Sequence, residues 1–489
     1  MPHYTGGLSR SWLVLLGISV LLILYLFNLG GAGFLGPDEP RYSSIGREMA
    51  RAHDFVTPRL DGKPWFEKPP LLYWMIAAGR AVRLPDEWAA RLPGALLSVA
   101  FLCFFFQILE REFSLRTAFA ATTILATSAG GLAYSLAAIP DLPMSAALDS
   151  AILIAIFDTR PRHVARSYLD RGYAAGALLG LAILAKGFVP VVLFAPLFLI
   201  ARGKRLRIIA GCIVIAAPWY LLCWARNGSA FWDEFFWKQQ VLRFLTPLLE
   251  HVQPGWYYAP VILAGLFPWT PLAALLLRRK TYDDVRVRFL IVWLAYALLF
   301  FSTARNKLPG YMLPLLPALA IVLAIALEKS GAAIPWWLGA SALMLVALPA
   351  IVHALPVALL SGIKKAPLVF TPGLPFILVA ALVWWLAWSG KPNLAMAAMG
   401  MAVLFGVVYL KVVTFPALDE RVSVRGFWRA HPSEISTACV GQEVRREWLY
   451  GLNYYAGRAL PDCDAATPDA QAAALRVSTR NDALVLVKR

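Results

Sequence analysis

Residues 12–29 read WLVLLGISVLLILYLFNL, eighteen positions without a charge. A run of this length crosses the hydrocarbon core of a bilayer as a helix. In that core every backbone N–H and C=O must find a partner within the protein, so repeated runs of this kind commit a chain to a bundle of membrane helices. The run is too long and unbroken for a cleaved signal peptide, and no small-residue cleavage site follows it, so it reads as a retained first span. Further apolar stretches lie near 89–109, 116–135, 141–157, 172–185, 187–201, 207–225, 258–277, 287–303, 310–327, 334–354, 373–389 and 393–411, about thirteen spans in all. Only Lys186 and Gly187 separate the fifth from the sixth. The expected fold class is an all-α polytopic membrane protein. Composition agrees, with 59% hydrophobic residues and 15% charged ones, against about 25% charged in a soluble chain.

The net charge is +17, from 46 Lys and Arg against 29 Asp and Glu. Much of the surplus sits in short loops between spans, at 160–171, 202–207 and 278–288. Such loops mark the cytoplasmic face, so the surplus reads as topology and nucleic acid is not an expected partner. All three loops then share one side with the N-terminus, and an odd number of spans puts residues 412–489 on the other. The expected division is a membrane domain over 1–411 and an outer C-terminal domain over 412–489. Two outer segments interrupt the membrane domain, at 31–88 and 226–257. The tail reads as a small α/β unit, with a helix near 443–456 and a closing strand at ALVLVKR. Cys439 and Cys463 are its only cysteines, and an oxidising compartment permits a disulfide between them. No CxxC or His-rich spacing appears, so no metal site is expected.

The first outer segment holds the densest polar pattern. Gly36-Pro-Asp-Glu-Pro-Arg-Tyr42 follows the first span, and Ile45, Met49 and Ala52 continue at helical spacing, as in a short helix on the membrane surface. Asp38 there is either a helix cap or, with Glu39, a carboxylate pair at the level of lipid headgroups. Asp61-Gly62 marks a turn. Glu67-Lys68 stands directly before Pro69-Pro70, at a rigid entry into a second interfacial helix. Lys68 is either a lysine snorkelling to the interface or a compact cation for phosphate.

GPDEPRYSSIGREM and VTPRLDGKPWFEKPPLLYW together resemble the first periplasmic loop of the aminoarabinose transferase branch of membrane glycosyltransferase family 39. That family has the GT-C fold and also includes the protein O-mannosyltransferases. Two weaker blocks follow in the expected order, Ala138-Ile-Pro-Asp141-Leu-Pro and Arg305-Asn-Lys307-Leu-Pro-Gly-Tyr311-Met-Leu-Pro. The resemblance covers roughly residues 10–320. It implies a monomeric bacterial inner-membrane enzyme with its site and C-terminal domain on the periplasmic side. It implies an undecaprenyl (polyprenyl) phosphate sugar donor, a lipid A acceptor, and neither cofactor nor metal in the transfer step. Aminoarabinose is the family precedent for the sugar, which the residues leave open.

Roles follow residue by residue from the same resemblance. Asp38, Asp141 and Glu67 match catalytic acidic positions. Lys68, Arg41, Arg243 and Tyr311 match donor-phosphate and substrate contacts. Arg305 and Lys307 are further candidates for that role, with snorkelling as the competing account. Some family members hold a zinc through a histidine in the segment around Arg243, where this chain has Lys238. The competing functions are a protein O-mannosyltransferase-like enzyme acting on Ser/Thr, and a lipid transporter or flippase. A transporter is expected to carry charges within its spans or paired half-repeats, and neither pattern is visible.

Overall fold

In a computed structural model, the protein is described over residues 10–157, 168–246, 252–480 and 482–488. Most of the basic loop expected at 160–171 lies outside them. Helix covers each of the thirteen apolar stretches. Among the described residues, six helices are long and apolar enough to cross a membrane, including Asp86–Glu112, Val285–Thr303 and Pro392–Arg421. Several other stretches are broken. The one expected at 116–135 divides into Leu115–Ala126 and Ala129–Ser135, and the one at 258–277 into Tyr258–Gly265 and a 3-10 stretch over Thr270–Leu277. Leu16, Ile213, Val214, Leu378 and Phe405 are among many large apolar side chains left exposed. Such a surface is unfavourable in water and suited to lipid.

The first helix, α1, spans Arg10–Leu26. Its last carbonyls have no partner within the helix. Lys411, fully buried in the Pro392–Arg421 helix, meets them: Nζ donates to the carbonyls of Phe27 at 2.7 Å and Leu24 at 3.2 Å. Next come the two helices expected in the outer segment, α2 over Asp38–Ala52 and α3 over Leu71–Ala81. Between them a hairpin pairs β1 (Arg59–Leu60) with β2 (Lys63–Pro64). Asp61 and Gly62 both take positive φ, the geometry of a tight hairpin turn.

Helix α4, Asp86–Glu112, carries the residue that fixes α2. Arg91 uses all five of its N–H donors: Nε and Nη2 grip the Glu39 carboxylate at 2.9 and 2.7 Å, and the rest reach the carbonyls of Leu29, Ala32 and Gly33. Glu39 also accepts from the backbone N–H groups of Leu35 and Ala138, both at 2.9 Å. The pairing of Asp38 with Glu39 at a headgroup site is therefore corrected. Glu39 is buried and saturated, and only Asp38 faces outward.

The segment expected as an outer loop at 226–257 is helical through residue 245. The Arg205–Phe231 stretch is kinked at Gly228, which takes positive φ, and then runs on into a π-helical stretch over Trp232–Leu242 and a last turn at Arg243–Leu245. Aromatic packing explains the wider turn. Phe231 and Phe235 stack at 5.4 Å and pack with Trp219, Tyr220 and Phe236. A π turn brings these neighbouring rings onto one buried face.

The Pro392–Arg421 helix continues ten residues past the expected boundary at 411. Beyond it, β3 (Cys439–Val440) pairs in parallel with β4 (Leu475–Arg480), which pairs antiparallel with β5 (Ala483–Lys488). Cys439 and Cys463 form a disulfide. The Arg446–Ala456 helix of this unit packs on α2, where Arg47 donates to the Tyr454 carbonyl at 2.7 Å, and on the start of α4, where Tyr454 and Tyr455 donate to Asp86 and Glu87 at 2.9 and 2.8 Å.

Removing one partner of a buried ion pair costs about 3–5 kcal/mol, because the other charge is stranded. Arg91→Ala should therefore lower the thermal midpoint of the purified protein by several degrees, and a change confined to experimental error would show that the Arg91 contacts are dispensable.

Candidate active site

Glu67 is the centre of the polar cluster. Its side chain is 12% exposed. Oε2 lies 3.1 Å from Arg41 Nη1, and Oε1 lies 3.1 Å from Lys68 Nζ and 3.3 Å from Arg243 Nη1. Three segments meet here: α2 supplies Arg41, the Pro69-Pro70 junction fixes Glu67 and Lys68 ahead of α3, and the turn after the π stretch supplies Arg243. Asn306 holds that turn, donating to the carbonyls of Arg243 and Thr246, both at 2.7 Å.

Burial alone would raise the carboxyl pKa of Glu67, but the adjacent Lys68, Arg41 and Arg243 outweigh it and hold the value down at about 2. Lys68 moves the other way. Burial and the neighbouring Arg243 bring it down to about 8, against the opposing pull of Glu67. Lys68 is thus a strained cation that gains from a further anion.

Asp38 opens α2 and stands beside this cluster, with Oδ1 2.5 Å from Arg41 Nη2. Its side chain is 48% exposed, so it is an accessible carboxylate where Glu67 is an enclosed one. Arg41 lies among three rings, 5.0 Å from Tyr42, 5.6 Å from Trp65 and 5.7 Å from Tyr450 of the C-terminal unit.

A cavity opens on the other flank. Its lining includes Lys68, Arg243, Lys186, Gln239, Asn306 and Tyr311, and no carboxylate. Three cations around one space, with their acidic partners behind them, form an electrostatic trap for an anion. Asp141 is one such partner, 2.5 Å from Lys186 Nζ. It sits against Gly310, where an added Cβ would come within 2.4 Å of Oδ1, so this approach requires glycine. Lys186 also lies 4.9 Å from the centre of the Tyr311 ring.

The structure thus brings together Arg41, Glu67, Lys68, Arg243 and Tyr311, with Asp38 on one flank and Asp141 on the other. Arg305 and Lys307 are not among the cavity's lining. Arg305 is exposed. Lys307 is turned inward, where Nζ donates to the carbonyls of Ala304 at 2.7 Å and Gln253 at 3.0 Å. Asn306 between them is the residue that faces the cavity. Lys186 is the cation that sequence reasoning passed over as a break between two spans. Its one sequence signal is that a lysine interrupts an apolar run next to a glycine. Among the described residues no group of three or more His, Cys, Asp or Glu is arranged to hold a metal ion.

The chain is similar to several known proteins. Residues 67–224 match the family model for dolichyl-phosphate-mannose-protein mannosyltransferases. The chain is 32% identical over 348 residues to the undecaprenyl phosphate-alpha-4-amino-4-deoxy-L-arabinose arabinosyl transferase of Serratia proteamaculans, covering 67% of this chain and 61% of that one. It is 31% identical to a second such transferase from Pseudomonas fluorescens, covering 65% of this chain and 60% of that one. The chain therefore spans about three-fifths of the length of the curated relatives it matches. The crystal structure of ArnT from Cupriavidus metallidurans bound to undecaprenyl phosphate superposes with a TM-score of 0.73 at 22% identity, over 98% of both chains. The fold is that of the GT-C membrane proteins. The chain is thus similar to the aminoarabinose transferases over about two thirds of its length, and to the mannosyltransferase family model over residues 67–224.

A carboxyl whose pKa is depressed on folding stabilises the protein above its unfolded value, and this contribution is lost as pH falls through the folded value. For Glu67 the window runs from about 4.5 down to about 2. Wild-type protein should lose stability across it. Glu67→Gln should start less stable at neutral pH and lose less on acidification, as followed by thermal melting. Parallel melting curves for the two proteins would remove Glu67 as the anchor of the cluster.

Proposed function

We propose that this protein is an integral-membrane glycosyltransferase that moves a sugar from undecaprenyl phosphate to a periplasmic acceptor, with lipid A as the favoured acceptor and aminoarabinose as the favoured sugar. The observation that carries this reading is the cavity lined by Lys68, Arg243 and Lys186, whose neighbouring carboxylates leave room for a further anion. The names of the Serratia and Pseudomonas relatives support the donor and the sugar. The site sits on the outer face of the inner membrane in this reading, together with residues 412–489.

As the bond from the anomeric carbon to the donor phosphate breaks, negative charge grows on the leaving phosphate. Lys68 and Arg243 are already fixed beside Glu67, so they can meet that charge with little reorganisation. A hydrogen bond from Tyr311 and the polar Gln239 and Asn306 would complete the cradle. This arrangement supplies charge balance from side chains, so the transfer uses no nucleotide. Asp38 is the accessible carboxylate. Toward a hydroxyl acceptor it acts as general base, and toward an anionic acceptor it orients the acceptor or stabilises positive charge at the sugar. Glu67, enclosed and ionised, holds the cations in place.

The test is release of free polyprenyl phosphate from labelled sugar donors by the purified protein, with lipid A or a Ser/Thr peptide as acceptor. Release with lipid A, abolished in Asp38→Asn at unchanged donor binding, is the expected result. Release only with peptide would move the protein to O-mannosyltransferase chemistry. Donor crossing a vesicle membrane without release would make it a transporter, and Asp38→Asn activity within a few-fold of wild type would remove Asp38 from the chemistry.

A further inference from the structure

Lys186 has two neighbours that compete for it. It ends the Tyr168–Lys186 helix, and Gly187 follows at φ +89°. The N–H of Phe188 donates to Gln240 Oε1 at 3.2 Å, which clips this turn to the π-helical stretch that leads into Arg243. The ammonium group is thereby held at the rim of the cavity. On one side it pairs with Asp141 at 2.5 Å. On the other it lines the same space as Lys68 and Arg243. Its side chain is 11% exposed and that of Asp141 14%, so solvent offers either charge little compensation.

We propose that Lys186 is a charge switch. With the cavity empty it neutralises Asp141. When a phosphate group enters, Nζ turns from the carboxylate to a phosphate oxygen and releases Asp141 toward the sugar end of the ligand. The proposal rests on the phosphate-binding reading above and adds a competition to it. Lysine suits this task because its ammonium is a compact point charge on a flexible stem, able to trade one oxygen for another. Arg243, anchored through its own carbonyl by Asn306, is the fixed counterpart. The neighbouring Tyr311 ring, 4.9 Å away, offers the ammonium a favourable surface in either position.

Competition makes a prediction that a static ion pair does not. Asp141→Asn keeps the shape of the side chain and removes the rival charge, so binding of undecaprenyl phosphate in detergent should tighten by roughly threefold to tenfold. Lys186→Met should weaken binding about tenfold. In the Lys186→Met background, Asp141→Asn should no longer tighten binding. Persistence of the tightening there would mean a long-range charge effect and overturn the switch. Unchanged or weaker binding in Asp141→Asn would overturn it too, showing Lys186 as a permanent partner of Asp141. Lys186→Gln serves as a second variant if Lys186→Met does not fold, with the same expectation. Wild-type protein that fails to bind undecaprenyl phosphate at all would count against the phosphate site itself, and so separates the two readings.

Discussion

One buried carboxylate organises this site. Glu67 lies within 3.3 Å of Arg41, Lys68 and Arg243, three cations drawn from separate parts of the chain. Without it their mutual repulsion in a partly dry setting would push them apart. With it they stay close, and Lys68 and Arg243 line the neighbouring cavity. The balance is incomplete: Arg41 also has Asp38, but Lys68 and Arg243 share the Glu67 carboxylate between them. The unspent charge falls toward a cavity whose lining holds no acid. In the proposed reaction the donor phosphate, gaining charge as it leaves, completes the arrangement.

The scaffold keeps Asp38 and Arg41 in register with that centre. Arg91 spends every N–H on Glu39 and on the carbonyls of the chain leaving α1, so α2 starts from a fixed point. The C-terminal unit holds α2 through the Tyr454 carbonyl, which accepts from Arg47, holds the start of α4 through the Tyr454 and Tyr455 hydroxyls, and adds Tyr450 to the rings around Arg41. Its Cys439–Cys463 disulfide ties down the loop that precedes β4. The tail is thus part of the wall of the site as well as an appendage to the membrane helices.

Much of this was legible in the chain. Apolar runs of membrane length located the helices, and Asp61-Gly62 located the hairpin, because both depend on local chemistry. Glu67 and Lys68 stood out because two prolines follow them and the surrounding block is distinctive. What escaped depends on tertiary partners. Nothing local separates the saturated Glu39 from the accessible Asp38; the difference lies in Arg91, fifty-two residues away. The aromatic π stretch around 232–242 lacks a 3.6-residue apolar period and so looked like a loop. Arg305 and Lys307 carried the charge that drew attention, while the neutral Asn306 does the contacting. Lys186 was hidden within apolar sequence, where a lone lysine reads as a boundary.

The central claim is that Lys68 and Arg243 grip the same phosphate. Its most direct measurement is the affinity for polyprenyl phosphate of Lys68→Ala, Arg243→Ala and the double mutant, beside wild type. A charge-assisted hydrogen bond contributes about 1.5–3 kcal/mol, so each single change should cost roughly tenfold or more. Two ligands of one group are coupled, so the double mutant should depart from the product of the single effects. Near-wild-type binding by Lys68→Ala, or strict additivity across the cycle, would contradict a shared phosphate.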